Sequence, residues 1–349
     1  YMNESAKTIH LNSLKEITII PAKISDIDSR SECNPYYENE YKRLPLFTAP
    51  MSAVVGEKSF NSYFNNNIEP IIPRNVPIQK RMDLLFYWDM FISFSLNEAK
   101  EYLIDCRINT VYTGQFKILI DIANGNMKKM FDVVKQLKEI YGSKIIIMAG
   151  NIANPETYEK YCQLGIDYCR VGIGGGSGCN TSTFTGIHYP MGSLLKRCNT
   201  IKETYKNLSV QNVGLNPTKI VADGGIKGYS DIIKCLALGA DYVMCGSIFA
   251  KMKESEAEIF ESLKGDKYKK FYGMSTPKAQ IELGGDGSKA TEGNETLIPV
   301  EYTMKEWIDN FESYLKSAMS YCGKRTLEEF VGKVKTEVMS GDSVNSINK

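Results

Sequence analysis

Cys179 lies in the stretch VGIGGGSGCNTSTFTGIHYP, residues 171 to 190. Gly174, Gly175, Gly176 and Gly178 precede the thiol, and Asn180 and Thr181 follow it. Glycine at this density lets the backbone take positive φ and approach a ligand closely, and it leaves amides and carbonyls without side-chain cover. A thiol held in such a loop is positioned for chemistry: its thiolate is a nucleophile, and exposed amides favour that charge. A free cysteine taken alone is more often a buried, inert small hydrophobe. The flanking sequence is what sets this one apart.

Other polar or glycine-rich runs each follow a short apolar run. APMSA follows Leu46 to Ala49, DIANGN follows the run at 118–122, AGN follows 144–148, ADGG follows 220–223 and CGS follows 242–245. With Pro70 to Pro73, Phe91 to Ser95 and Cys169 to Ile173, these runs make eight expected strands alternating with helical patterns, the signature of βα units around a parallel sheet. The helix over MKKMFDVVKQLKEIYG is read from Met127, Met130, Phe131, Val134, Leu137 and Tyr141 at helical spacing, with Gly142 as its cap. Asn154 and Pro155 form an N-cap followed by proline at the first helical position. The fold class expected is α/β, a (β/α)8 TIM barrel in one domain: an N-terminal arm over 1–44, the barrel with its active-site loops over 45–300, and C-terminal helices and tail over 301–349. Active-site residues of such barrels sit on the loops at the carboxyl ends of the strands. ADGG and CGS follow the seventh and eighth strands, where these barrels bind phosphate.

Composition removes several classes. The 349 residues are 43% hydrophobic and 24% charged, enough for a large core. A net charge of +1 gives no footprint for nucleic acid or an acidic membrane. No apolar run reaches the roughly 18 residues of a membrane span, and no signal segment opens the sequence, so a soluble cytoplasmic protein is expected. Nine cysteines without a CxxC pair argue against a disulfide framework or a zinc ribbon, and two histidines, His10 and His188, argue against a histidine metal site.

GIGGGSGCNT, VADGGI, MCGS and KKFYGMS (Lys269 to Ser275) together resemble the inosine monophosphate dehydrogenase and guanosine monophosphate reductase family over most of the chain. IDIANGN, IMAGN, Thr185 to Pro190, FYGMS and the opening IIPAKISDIDSRSE are closer to its reductase branch. Pro73 to Phe91 leaves no room for the regulatory pair of modules that most dehydrogenases insert. The stretch from Met274 to Glu292 has no arginine to match the water-activating one of the dehydrogenase flap. The resemblance implies an NADPH-dependent conversion of GMP to IMP and ammonia through a thioimidate on Cys179, with Thr181 and Glu292 as the proton-transfer pair. It implies that Asp223 binds the ribose diol and that Ser177, Gly224, Gly225, Gly246 and Ser247 bind the phosphate. Tyr272, Gly273, Met274 and Ser275 fall to the base. Asp121, Asn124, Asn151, Gly172 and Gly174 fall to the nicotinamide side. Carbonyls of Gly174, Gly176 and Cys179 are the counterpart of a monovalent cation site, K+ or Na+, and a homotetramer is implied.

Some positions depart from the family. Met51-Ser52-Ala53 stands where Met-Asp-Thr is usual, Arg74 falls where His-Lys-His is usual, and Met191 replaces a glutamine; Asn180 and His188 are also unusual. Two other readings stay open: within the family resemblance, a dehydrogenase lacking the regulatory modules, making xanthosine monophosphate from IMP with NAD; and, on the Ser52 and Arg74 departures, a nucleotide-binding paralogue without activity.

Overall fold

The computed structural model describes residues 10–38, 42–106, 114–176, 178–211, 217–273, 276–283, 286–288 and 293–347. Eight strands form one parallel sheet: β1 (Leu46–Thr48), β2 (Ile71–Ile72), β3 (Phe91–Phe94), β4 (Phe116–Asp121), β5 (Ile145–Ile152), β6 (Tyr168–Val171), β7 (Lys219–Asp223) and β8 (Tyr242–Cys245). They pair in chain order from β2 to β8, and β8 then pairs with β1. The seam between β1 and β2 is closed by a bridge from Phe47 to Glu69. There the fully buried Thr48 accepts the Ile71 N–H on its Oγ1 at 2.8 Å. The architecture is a (β/α)8 barrel.

Both faces of each strand are covered, which is why the strands read as apolar runs. Phe47, Phe91, Leu119, Met148, Val221 and Met244 fill the barrel interior. Leu46, Ile92, Ile118, Ile147, Ile220 and Val243, one position away, pack outward with the surrounding helices. Beneath the apolar layer, Lys117 bridges Glu69 (3.1 Å) and Asp89 (2.9 Å).

Local signals place the helices. Lys128–Tyr141 buries Met130, Val133, Val134 and Leu137 and stops at Gly142, φ 55°. Pro155–Leu164 begins with Asn154 accepting the Glu156 N–H at 2.8 Å. All eight expected strands are present, the eighth with the expected bounds and the other seven with shifted ends. The fifth runs on through Asn151 to Ile152, so its AGN segment is strand and not loop. The sixth stops at Val171.

Three additions were not legible in the sequence. Ile17–Ile19 of the arm pairs antiparallel with Thr336–Val338 near the other end of the chain. A hairpin of Tyr37–Glu38 and Lys42–Arg43 caps the amino end of the barrel, its Tyr37 hydroxyl donating to the Asp241 carbonyl at 2.8 Å. After β8 and the short helix Ser247–Ala250, three antiparallel strands leave the barrel: β9 (Ile259–Glu261), β10 (Lys267–Tyr272) and β11 (Glu295–Pro299). The buried Lys269 roots this sheet, donating to the carbonyls of Met252 (2.7 Å), Lys253 (3.1 Å) and Ser255 (3.0 Å). The chain then returns as the helix Met304–Tyr321, whose Trp307 packs on Phe249 and Tyr229.

Candidate functional site at the barrel mouth

The loops after β1, β4, β6, β7 and β8, with Arg74 after β2 and Asn151 of β5, surround a cavity of about 350 Å³ at the carboxyl ends of the strands, joined by Phe271 and Gly273 close to the antiparallel sheet. The half-buried Cys179 lines it, and the other cysteines are buried apart from the exposed Cys106, all nine thiols being free. The Cys179 thiol donates to Thr181 Oγ1 at 3.2 Å, and its amide donates to the Gly176 carbonyl at 3.0 Å. Thr181 opens the one-turn helix Thr181–Thr185, so its hydroxyl and the thiol share one edge of the loop. Ser182 Oγ donates to the Gly174 carbonyl at 2.9 Å, and His188 Nδ1 lies 3.1 Å from the Ile173 carbonyl.

Two neighbours press on this loop from outside it. Gly224 and Gly225, both at positive φ (98° and 76°), back onto Gly175 and Gly176. Gly273 meets Gly178 so closely that an added methyl would lie 2.1 Å from the Gly178 carbonyl oxygen, so no other residue fits there. Cys179 also forms an antiparallel bridge to Gly293, at the start of the segment leading into β11.

The cavity floor is charged. Arg170 on β6 reaches Asp121 Oδ1 on β4 (2.6 Å) and Asp223 Oδ2 on β7 (2.8 Å), and Arg74 Nε holds the other Asp121 oxygen at 3.1 Å. Asn151 Nδ2 donates to Asp223 Oδ2 at 2.7 Å and to the Gly172 carbonyl at 2.9 Å. Burial pushes the Asp121 carboxyl up, but the Arg170 and Arg74 guanidinium groups outweigh it and hold the group below the usual aspartate value. Burial likewise opposes charge on Arg170, and the two carboxylates outweigh it, so its pKa is raised. Asp121 is thus kept ionised, and both carboxylates are held in place on the cavity floor as hydrogen-bond acceptors.

The geometry gathers most of the expected site. Cys179, Thr181, Asp121, Asn151, Gly172, Gly174, Gly176, Asp223, Gly224, Gly225, Gly246, Ser247 and Gly273 all line the cavity. Asn124 is exposed and outside the lining, its Oδ1 accepting from the Asn126 amide at 3.3 Å. Tyr272 is also outside the lining; its hydroxyl donates to Glu282 Oε1 at 2.8 Å and lies 2.9 Å from Ser52 Oγ. Ser177, Met274, Ser275 and Glu292 lie outside the described residues. Arg170 escaped the sequence reading because it sits inside an apolar strand run; an arginine at an inward strand position was the available signal.

The departures find partners as well. Ser52 Oγ donates to Glu282 Oε2 at 2.9 Å, Arg74 pairs with Asp121, and the Met191 methyl packs against Gly172. Asn180 and Asn294 exchange side-chain hydrogen bonds at 2.7 and 3.0 Å.

Fold and mouth together define the class: a parallel (β/α)8 barrel whose carboxyl-end loops surround one half-buried thiol. The chain belongs to the IMP dehydrogenase / GMP reductase family, a family of oxidoreductases, whose domain pattern matches residues 105–347. It is 30% identical over 344 residues to a protein named GMP reductase from an Exiguobacterium species, covering 95% of this chain and 98% of that one. A GMP reductase of Buchnera aphidicola from Schizaphis graminum is 31% identical over 337 residues, 90% of each chain. An inosine-5'-monophosphate dehydrogenase of Chlorobaculum parvum is 36% identical over 231 residues, 63% of this chain and 44% of that longer one. Among the described residues no helix is long and apolar enough to cross a membrane, and no group of three or more His, Cys, Asp or Glu side chains is arranged to hold a metal.

Proposed function

We propose that the protein reduces GMP to IMP and ammonia at the expense of NADPH, with Cys179 as the nucleophile. The observation that carries this reading is the Cys179 thiol lining the mouth cavity beside Thr181, in a chain that matches proteins named GMP reductase along nearly its whole length. A hydride and two protons convert GMP to IMP and ammonium. The thiolate attacks purine C2 and forms the C–S bond, and the C2 amino group leaves protonated. Thr181 Oγ1, already hydrogen-bonded to the sulfur, takes the thiol proton and passes it to the leaving nitrogen, with Glu292 as the second member of that pair. When hydride reaches C2, the C–S bond breaks and the thiolate is regenerated.

Asp223, fixed by Arg170 and Asn151, accepts the ribose hydroxyls, and the amides of Gly224 and Gly225 with Gly246 and Ser247 receive the phosphate. Ser177 joins the phosphate contacts, and Met274 and Ser275 with Gly273 hold the base. Tyr272 acts on the base segment from behind, through Ser52 and Glu282.

NADPH supplies the hydride when bound. Its fit rests on space and on the charged floor: a second cavity of about 480 Å³, bordered by Arg81, Ser95 and Glu282, shares Arg74 with the first, so a dinucleotide has room beyond the nucleotide. Asp121, Asn151, Gly172 and Gly174 face the nicotinamide, with Asn124 further out on the same loop. A monovalent cation, K+ or Na+, would be held by the carbonyls of Gly174, Gly176 and Cys179; Gly174 and Gly176 each already accept one hydrogen bond, so the ion would take the remaining lone pair.

Mixing the protein with GMP and NADPH tests the assignment. Loss of reduced-nicotinamide absorbance with equimolar IMP and ammonia is expected. Repeated turnover of IMP to xanthosine monophosphate with NAD would place the chain with the dehydrogenases, and nucleotide binding without either reaction would leave it a binding protein.

A further inference from the structure

We infer that Asn180 and Asn294 are positioning residues that clasp the nucleophile loop to the strand entering β11. Each carboxamide donates to the other: Asn180 Nδ2 to Asn294 Oδ1 at 2.7 Å, and Asn294 Nδ2 to Asn180 Oδ1 at 3.0 Å. The pair spans 114 residues of sequence and stands directly beside the backbone bridge of Cys179 to Gly293. Around it the backbone contacts are longer: the Asn294 amide donates to the Gly178 carbonyl at 3.2 Å, and the Gly273 amide donates to the Asn294 carbonyl at 3.1 Å.

Three segments therefore meet at the thiol, and the residues at the contact are Gly178, Gly273 and Gly293. None has a side chain to lock the others, and glycine backbone is costly to hold in one conformation. The reciprocal amide pair supplies the missing constraint. It satisfies a donor and an acceptor on each side chain, and it sets how far the loop bearing Cys179 stands from Gly273 of the base-contacting segment. The departure at Asn180 is then the half of a device whose other half is Asn294. The bonding geometry needs no ligand; its consequence for turnover rests on the proposed role of Cys179.

The test compares Asn180→Ala, Asn294→Ala, the double alanine variant, and Asn180→Asp combined with Asn294→Lys, which rebuilds the link as an ion pair. Hydrogen exchange read by mass spectrometry on the full chain is the arm that needs no activity. Either single alanine variant should speed exchange in both the 174–184 and the 293–299 peptides, by about five- to tenfold, the scale of one or two neutral hydrogen bonds. The helix at 128–141 should be unmoved. Turnover should fall by a similar factor with the KM for GMP changed less than about twofold, the double variant should be no worse than either single, and the ion pair should restore both readouts. Faster exchange confined to the mutated segment, effects that multiply in the double variant, or no change in exchange would overturn the clasp. If the wild-type protein shows no reductase activity, the functional reading fails while the exchange result still decides the clasp.

Discussion

The thiol at the mouth and the ion-paired carboxylates and arginine beneath it make different predictions. Cys179→Ala removes the group that forms the covalent bond and none of the ribose or phosphate contacts. Turnover should drop by more than about a thousandfold while GMP affinity, measured by calorimetry, stays within about threefold; residual activity within tenfold of wild type would rule out a nucleophilic Cys179. Arg170→Leu removes a buried guanidinium and leaves the half-buried Asp121 and Asp223 without their shared cation, and should lower the unfolding free energy by up to about 3–5 kcal/mol in denaturant unfolding. The same change alters acid stability. Because the folded Asp121 pKa lies below its ordinary value, the carboxylate stabilises the fold above the unfolded aspartate pKa and loses that contribution as pH falls through the folded value. In Arg170→Leu this acid transition should begin at higher pH, which a series of melts from pH 7 downward would show. Cys179 was legible because its glycine context is local in sequence, whereas the Arg170 network joins three strands and exists only once the barrel closes.

Among the elements, the strands were readable because a parallel barrel buries both strand faces and leaves an unmistakable apolar run. The antiparallel sheet was not, since β9 and β11 are short, exposed and far apart in sequence. The pairing of Ile17–Ile19 with Thr336–Val338 was hidden for the same reason: three-residue strands far apart in sequence give no periodicity to read. The barrel seam offers a test at this scale. Thr48→Val keeps the shape of the side chain but strands the buried Ile71 N–H, so unfolding free energy should fall by about 1–3 kcal/mol. An unchanged midpoint would mean that the seam is held by the backbone bridge alone.

Over the whole molecule, the layers run from the tyrosine hairpin at the amino end, through the apolar interior, to the ion-pair floor and the thiol above it. That order puts the packed barrel beneath the thiol and leaves the strand-end loops and the antiparallel sheet around the cavity. The proposed homotetramer should appear as four times the chain's 39.2 kDa in light scattering at micromolar concentration, and a monomer would remove that assignment. The chemistry itself is tested most directly by trapping the covalent nucleotide. In the reverse direction, IMP and oxidised cofactor should load Cys179 and then stall without ammonia, because the stretch between Met274 and Glu292 carries no arginine to activate water. Acid quench followed by peptide mapping should find one purine nucleotide per chain, on the peptide containing Cys179. An enzyme that turns over normally yet shows no such adduct, or carries it on another residue, would contradict the covalent role of Cys179.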